Sequence, residues 1–193
     1  MSELSIAVFA SGGGTNLQSL IDSSKEGAFN GKITTVISNN SGAFALERAR
    51  TDNIDAYHIS GIKFPDREIF VSETLKTLES HKVNLIVLAG YMKLLPVEVV
   101  RKYRNRILNI HPALLPKYGG KGMYGINVHK AVIESGDKIS GATVHFVDEI
   151  FDHGVILIQR TVPVLPGDDP ETLAARVLKV EHKILPEAVS MFA

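Results

Sequence analysis

The sequence predicts an α/β domain built on an open, doubly wound and mostly parallel sheet. Two observations predict this fold class. Over the first 111 residues, short apolar runs alternate with segments of helical periodicity. The runs 4–10 and 84–90 are apolar almost throughout, as expected of strands that helices cover on both faces. The 193 residues suit a single domain, 1–193, with an ample core.

The individual elements follow from this pattern in order. Apolar runs between turn residues predict five strands, at 4–10, 32–38, 55–60, 84–90 and 106–111. Helices are predicted between them, at 16–26, 43–52, 66–81 and 96–104.

The alternation of predicted strands and helices ends after residue 125. A helix fits 127–136, and two β-rich runs, 141–148 and 154–164, are joined by the short segment EIFDHG, which favours an antiparallel C-terminal strand pair. A closing helix is predicted within 167–192. Asp168 or Asp169 is its expected N-cap, with Pro170 in the first turn.

Composition excludes several classes of function. The 21 Lys and Arg residues equal the 21 Asp and Glu residues, so there is no basic excess of the kind that binds nucleic acid. Cysteine is absent, which excludes disulfides, thiolate metal sites and a cysteine nucleophile. The seven histidines show no metal-ligand spacing, so no metal is expected. No apolar run is long enough to span a membrane, and the N-terminus lacks the basic start of a signal peptide, so we expect a cytoplasmic protein.

A glycine-rich loop follows the first predicted strand in AVFASGGGTNLQSLI. Such a loop before a helix favours an anion. The dinucleotide template requires a glycine where Leu17 stands, and an acidic residue near SNNSG, where there is none, so we do not expect NAD. The hydroxyl of Thr15 and the amide of Asn16 suit a single phosphate. The alternative is a glycine turn in which Asn16 caps the helix and binds nothing.

Asn109 and His111 lie at the end of a predicted strand, in ILNIHPALLPKYGGKGMYG (107–125). Because side chains alternate along a strand, these two point to the same face, at the edge where open α/β sheets bind ligands. An amide and an imidazole there could stabilise an oxyanion and move a proton. The alternative is a capping histidine beside a satisfied core amide. An orienting carboxylate could come from Asp148, Glu149 or Asp152, and the residues alone do not choose among them.

Five segments carry a resemblance to a known family: FASGGGTNLQ, LAGYMKLL, LNIHPALLPKY, GATVHFVDEIFDHGVILIQ and RVLKVEHKILP. Together, in unbroken order from about residue 4 to 190, they resemble the folate-dependent phosphoribosylglycinamide formyltransferases of purine biosynthesis. The resemblance implies the formyltransferase fold, a Rossmann-like sheet with an antiparallel C-terminal strand pair. It also implies an enzyme of one-carbon metabolism, a transferase that moves a formyl group from the co-substrate 10-formyltetrahydrofolate to the amine of glycinamide ribonucleotide.

The resemblance also assigns catalytic roles. Asn109 would donate a hydrogen bond to the oxyanion, and His111, held protonated, would stabilise it and donate a proton. Asp152 would sustain that protonation and help a water molecule relay protons. His145 matches a family histidine near the site, and we expect it to be supporting rather than catalytic.

Substrate-binding residues follow from the same resemblance. Gly14, Thr15 and Asn16 would hold the ribonucleotide phosphate, and Glu181 its ribose. The residues expected to bind the folate are Arg67, Met92, Lys93, Leu94, Leu95 and Asn109. Ala113 and Lys93 stand where many members have Ser and Arg. The peptide bond Leu115–Pro116 is expected to be cis, and the role of the loop 119–127 is left open.

Three alternative functions stay open at this point. A methionyl-tRNA formyltransferase would need a further C-terminal domain and a basic surface, whereas this chain ends at 193 with no net charge. A formyltetrahydrofolate hydrolase usually carries an N-terminal regulatory domain, whereas the first predicted strand begins here at residue 4. A non-catalytic nucleotide or folate binder on the same scaffold is the third. The expected partners are small molecules and not nucleic acid, and the chain could be a monomer or a homodimer.

Overall fold

The computed structural model describes residues 3–193. The strands are β1 (Leu4–Phe9), β2 (Gly31–Ser38), β3 (Asp55–His58), β4 (Leu85–Leu88), β5 (Ile107–His111), β6 (Ile139–Phe146) and β7 (Ile156–Pro163). The helices are α1 (Thr15–Lys25), α2 (Phe44–Thr51), α3 (Arg67–Ser80), α4 (Val97–Lys102), α5 (Ile126–Ser135) and α6 (Pro170–Ser190).

The strands form one mixed sheet in the order β3-β2-β1-β4-β5-β6-β7. The first five strands are parallel, and β6 and β7 are antiparallel to their neighbours. The predicted fold class is therefore confirmed. The chain moves outward from β1 to β3 and then returns to place β4 beside β1, which creates a topological switch point at the carboxyl edge of the sheet.

Helices cover both faces of the sheet. In β1, Ile6 and Val8 pack on the face that also receives α1, α2, α5 and α6, whereas Ala7 and Phe9 pack on the face that receives α3 and α4. All four side chains are essentially inaccessible to solvent. Burial on both faces explains why the strand is continuously apolar rather than alternating.

The element boundaries differ from the predicted ones at a few ends. Strand β4 stops at Leu88, before Gly90 turns the chain with a φ of +75°. Asp169, and not Asp168, caps α6, and its carboxylate accepts a hydrogen bond from the Thr172 N–H at 2.7 Å. The Leu115–Pro116 bond is cis, as expected. Within residues 3–193, no helix combines the length and the apolar character that a membrane crossing requires.

Candidate active site

A cavity of about 950 Å³ opens at the carboxyl edge of the sheet. Its wall contains Asn16 of α1 and Glu181 of α6 at one end, and the segment that follows β4 at the other. Asn109 and His111 of β5 also line the cavity, at the edge of the sheet that separates the face of α1 and α6 from the face of α3 and α4. The loops after β1 and β4 are joined here, because the Ser11 N–H donates to the Gly90 carbonyl at 3.0 Å and the Ser11 hydroxyl accepts from the Met92 N–H at 2.8 Å.

His111 is buried, and both of its ring nitrogens lie near oxygen atoms. Nε2 is 2.8 Å from the carbonyl oxygen of Tyr118, and Nδ1 is 3.6 Å from Oδ1 of Asp152. Two features fix the position of the Tyr118 carbonyl beside His111. The backbone of Tyr118 has a φ of +57°, and its phenol is hydrogen-bonded to Ser135 and Asp137. Since a carbonyl only accepts, Nε2 carries a proton, and Nδ1 is the nitrogen that faces Asp152.

Asp152 is the one carboxylate of the predicted three that faces His111. Its Oδ2 accepts a hydrogen bond from the Gly120 N–H at 2.9 Å, and its backbone has a φ of +52°. Asp148 instead pairs with His153 at 2.8 Å, and Glu149 accepts from the guanidinium of Arg101 on α4. The structure thus brings beside His111 the carboxylate that the resemblance assigned, whereas the residues alone did not choose among the three.

His145 lies directly opposite Asn109 in the antiparallel pair of β5 and β6. Its Nδ1 is 2.8 Å from the Phe146 carbonyl, which assigns the proton to Nδ1 and leaves Nε2 as an acceptor for the Asn109 amide at 3.0 Å. The second Nδ2 hydrogen of Asn109 has only a long contact, 3.4 Å, to Asp152. His145 thus orients the Asn109 amide with one donor left for a ligand.

The pKa of His111 is lowered, mainly by burial, and the carboxylate of Asp152 opposes that shift. The charge of Asp152 therefore does not outweigh the loss of solvation in the protein alone, and the expectation that Asp152 holds His111 protonated stays a prediction. Burial pushes the pKa of Asp152 upward, but the adjacent His145 ring, the charge of a protonated His111 and the hydrogen bond from the Gly120 N–H together leave it lowered. The carboxylate is therefore ionised at neutral pH.

At the end of the cavity where a ribonucleotide is expected, Asn16 and Glu181 are buried and contact each other. The Asn16 amide donates to Oε2 of Glu181 at 2.6 Å, while Asn16 Oδ1 has no partner among the described residues. Burial raises the pKa of Glu181. Asn16 does not cap α1, because Gly14 occupies the N-cap with a φ of +70°. Gly14 and Thr15 do not line the cavity wall; they begin the helix beside it.

At the end where the folate is expected, the segment after β4 contributes its side chains to the cavity. Met92 and Leu94 are about half exposed there, and Leu95 is buried. Lys93 and Arg67 also line the wall, but the guanidinium of Arg67 forms two hydrogen bonds with the Glu98 carboxylate at 2.7 and 3.1 Å. The loop 119–127 lies against this end, because a Cβ built on Gly125 would stand 3.8 Å from Cε of Met92.

His129 of α5 is a lining residue that the sequence reasoning did not select. It is 4% exposed, and burial lowers its pKa to about 4. The sequence does contain one signal that could have selected it. His129 follows the apolar Val128 and precedes Val132 by three residues, which places it on the buried face of a predicted helix. Among residues 3–193, no cluster of His, Asp or Glu side chains is arranged to hold a metal ion.

A profile of the family described as "Formyl transferase" matches residues 4–189. The chain belongs to this family. A protein of Vigna unguiculata named phosphoribosylglycinamide formyltransferase, chloroplastic, is 46% identical over 95% of this chain and 59% of its own length. The Escherichia coli (strain K12) phosphoribosylglycinamide formyltransferase is 39% identical over 98% of this chain and 87% of its own length.

Solved structures of family members share the fold closely. The glycinamide ribonucleotide transformylase 1 of Symbiobacterium toebii superposes with a TM-score of 0.92 at 42% identity, covering 98% of this chain and 87% of that one. The chain spans about three fifths of the length of the plant relatives, 59% of the Vigna unguiculata protein and 63% of the Arabidopsis thaliana one.

Proposed function

We propose that this chain transfers a formyl group from 10-formyltetrahydrofolate to the amine of glycinamide ribonucleotide. The observation that carries the proposal is the convergence of Asn109, His111 and Asp152 on the wall of one cavity, whose lining also includes the polar pair Asn16 and Glu181 and the apolar segment after β4. Membership of the formyl transferase family and the names of the relatives support it. The proposal requires no metal ion and no nucleic acid.

The proposed reaction is a direct transfer. The amine attacks the formyl carbon, a C–N bond forms, and the carbonyl electron pair moves onto oxygen. The tetrahedral intermediate then collapses with cleavage of the bond between carbon and the folate nitrogen. The proton that leaves the amine ends on that nitrogen, so the products are the formamide and tetrahydrofolate. No covalent bond to the protein is needed.

Asn109 and His111 stabilise the oxyanion in this proposal. The Asn109 donor that His145 leaves free supplies one hydrogen bond. His111 is neutral in the protein alone, and a developing negative charge beside it would raise its pKa, so that the protonated form appears when the oxyanion does. Asp152, 3.6 Å from Nδ1, stabilises that imidazolium and offers an acceptor to a relaying water.

The two ends of the cavity suit the two substrates. Gly14, Thr15 and Asn16 present the first turn of α1 to an anion, and the carbonyls of the loop are already used: Gly12 accepts from Ala45, and Gly13 accepts from Arg48. The N–H groups of the first helical turn have no acceptor within the helix, so they are available for the phosphate. Glu181 offers carboxyl oxygens to the ribose.

The half-exposed apolar side chains at the opposite end suit the pterin of the folate. Met92 and Leu94 present these side chains, and Leu95 is buried in the core cluster on the face covered by α3 and α4. Lys93 and Arg67 supply positive charge for the glutamate tail. Because Arg67 is already paired with Glu98, it would have to exchange that partner to bind the tail.

The test supplies 10-formyltetrahydrofolate with and without glycinamide ribonucleotide and follows tetrahydrofolate by absorbance. We expect product only when both substrates are present. His111→Ala should lower kcat by about 100-fold to 10,000-fold while the ribonucleotide still binds. His81→Ala is the matched control, because His81 lies at the end of α3, outside the cavity wall, and pairs with Asp55.

Two outcomes would overturn the proposal. Tetrahydrofolate formed without the ribonucleotide would indicate a hydrolase, and no product with both substrates would favour a binding protein. Unchanged turnover in His111→Ala would overturn the mechanism alone. A cytoplasmic location and a monomeric or homodimeric state stay predictions.

A further inference from the structure

His129 stands out because neither of its ring nitrogens has a hydrogen-bond partner in the part of the chain that the structure describes. Nδ1 is fully buried and makes no hydrogen bond within residues 3–193. Nε2 forms none there either, and His129 is one of the residues that line the cavity. Buried polar atoms in proteins are nearly always hydrogen-bonded, so an imidazole without any partner on a cavity wall needs an explanation.

Buried side-chain atoms without a partner occur in four described residues: Asn16, His129, Ser140 and His182. Of these, Asn16 and His129 line the cavity and the other two do not. Asn16 already belongs to the proposed ribonucleotide end. His129, the other cavity-lining residue of these four, is therefore a candidate to bind the same ligand.

The position of His129 favours the ribonucleotide over the folate. Helix α5 packs against α6 on the same face of the sheet as α1, whereas the folate end lies on the face covered by α3 and α4. Ala174, Leu178 and Glu181, spaced four and three residues apart, form the cavity-lining stripe of α6. The pKa of His129 is lowered first by burial and then by the charge of His111, so His129 lies within electrostatic reach of the reacting centre.

The chemistry of the ring limits what it can bind. A proton on Nε2 leaves only a lone pair at the buried Nδ1, which is the less costly tautomer to bury. Because its pKa is about 4, the ring is neutral at pH 7. A neutral N–H donor suits an uncharged oxygen, such as a sugar hydroxyl or an amide carbonyl, better than a phosphate that the glycine loop already faces.

We propose that His129 is a specificity-determining residue, whose Nε2–H donates a hydrogen bond to an uncharged oxygen of the acceptor ribonucleotide. This inference rests on the proposed function for the identity of the acceptor. It gives the cavity a contact between the reacting centre and the phosphate loop, where a hydroxyl or the glycinamide carbonyl would lie.

The test compares His129→Phe, which keeps a ring without a donor, with His129→Gln, which keeps a donor. In His129→Phe the KM for glycinamide ribonucleotide should rise about threefold to tenfold, the factor expected from one neutral hydrogen bond, with kcat and the KM for the folate nearly unchanged. His129→Gln should recover most of that loss. His182→Phe is the matched control, because His182 also has a buried ring nitrogen without a partner but lies outside the cavity wall.

Calorimetry identifies the oxygen. If His129→Phe weakens the binding of both glycinamide ribonucleotide and ribose 5-phosphate, a sugar hydroxyl accepts the hydrogen bond. If it weakens the binding of glycinamide ribonucleotide alone, the amide carbonyl accepts it. In case His129→Phe does not fold, the ¹⁵N signal of His129 Nε2 in the wild-type protein should shift when the ribonucleotide is added. Equal ribonucleotide affinity in folded His129→Phe, or an unchanged signal in the wild type, would overturn the inference. A wild-type protein that makes no tetrahydrofolate would instead show that the proposed function itself fails.

Discussion

Gly14→Ala is expected to destabilise the protein and to weaken ribonucleotide binding. Gly14 is the N-cap of α1 and has a φ of +70°, in the left-handed region that residues with a Cβ rarely adopt. A Cβ at this position would stand 2.8 Å from both Cα and Cβ of Ala45. The backbone of α2 must therefore move, or the glycine loop must move away from it.

The magnitude follows from these two costs. The left-handed conformation costs a non-glycine residue about 1–2 kcal/mol, and one extra carbon in a filled space costs about 1–3 kcal/mol. The loss of glycine's freedom in the unfolded chain returns about 0.4–1 kcal/mol. The expected net loss in the free energy of unfolding is about 1–4.5 kcal/mol, with a middle value of about 3 kcal/mol.

Urea unfolding with linear extrapolation measures this loss. Gly13→Ala is the control, because nothing lies within 4 Å of a Cβ at Gly13 and its φ is not in the left-handed region; it should change the free energy of unfolding by no more than about 0.5 kcal/mol. The KM for the ribonucleotide should rise in Gly14→Ala while the KM for the folate stays constant. If the two alanine variants were equally stable, the steric argument for the loop would be wrong.

Three further predictions concern the reacting centre and the buried acid. Asp152→Asn should lower the pKa of His111 further, since it removes the charge that opposes the effect of burial; histidine NMR titration measures it, and a rise would contradict the assignment. Glu181→Gln should remove a loss of stability with rising pH. Because the pKa of Glu181 is raised in the folded state, its contribution to stability is complete below the unfolded pKa of about 4.5 and is lost as pH rises through the folded pKa. The free energy of unfolding in urea should therefore depend less on pH between pH 4 and 8 in Glu181→Gln than in the wild type, whereas the exposed Glu187→Gln should keep the wild-type dependence. Tyr118→Phe should lower kcat by about tenfold with both KM values unchanged, because the carbonyl that fixes the catalytic histidine loses its phenol anchor; an unchanged kcat would show that this anchor is dispensable.

Much of the fold could be predicted from local patterns. Continuous apolar runs such as 4–10 indicate doubly covered parallel strands, because burial on both faces removes the alternation. The shared face of Asn109 and His111 followed from the two-residue period alone, and the structure places both on the cavity wall. These features depend on neighbours in the sequence, which is why they could be read there.

The features that could not be predicted depend on contacts between residues that are distant in the sequence. The position of His145 opposite Asn109 required the antiparallel pairing of β5 with β6, which the short connection between β6 and β7 does not reveal. The protonation state of His111 required its burial, which outweighs the neighbouring carboxylate. His129 was not selected because a lone histidine on an apolar helix face has no local feature that separates a core residue from a lining one.

The path of the loop between β6 and β7 explains why Asp152 needs so many restraints. Because β6 runs antiparallel to β5, it ends beside the start of β5, where the Val147 N–H bonds to the Ile107 carbonyl. The loop must then fold back along the sheet to bring a carboxylate beside His111 at the opposite end of β5. The φ of +52° at Asp152 and its bond to the Gly120 N–H belong to that reversal. The carboxylate that faces the histidine is thus held from the loop after β5, so the two halves of the reacting centre are ordered together rather than independently.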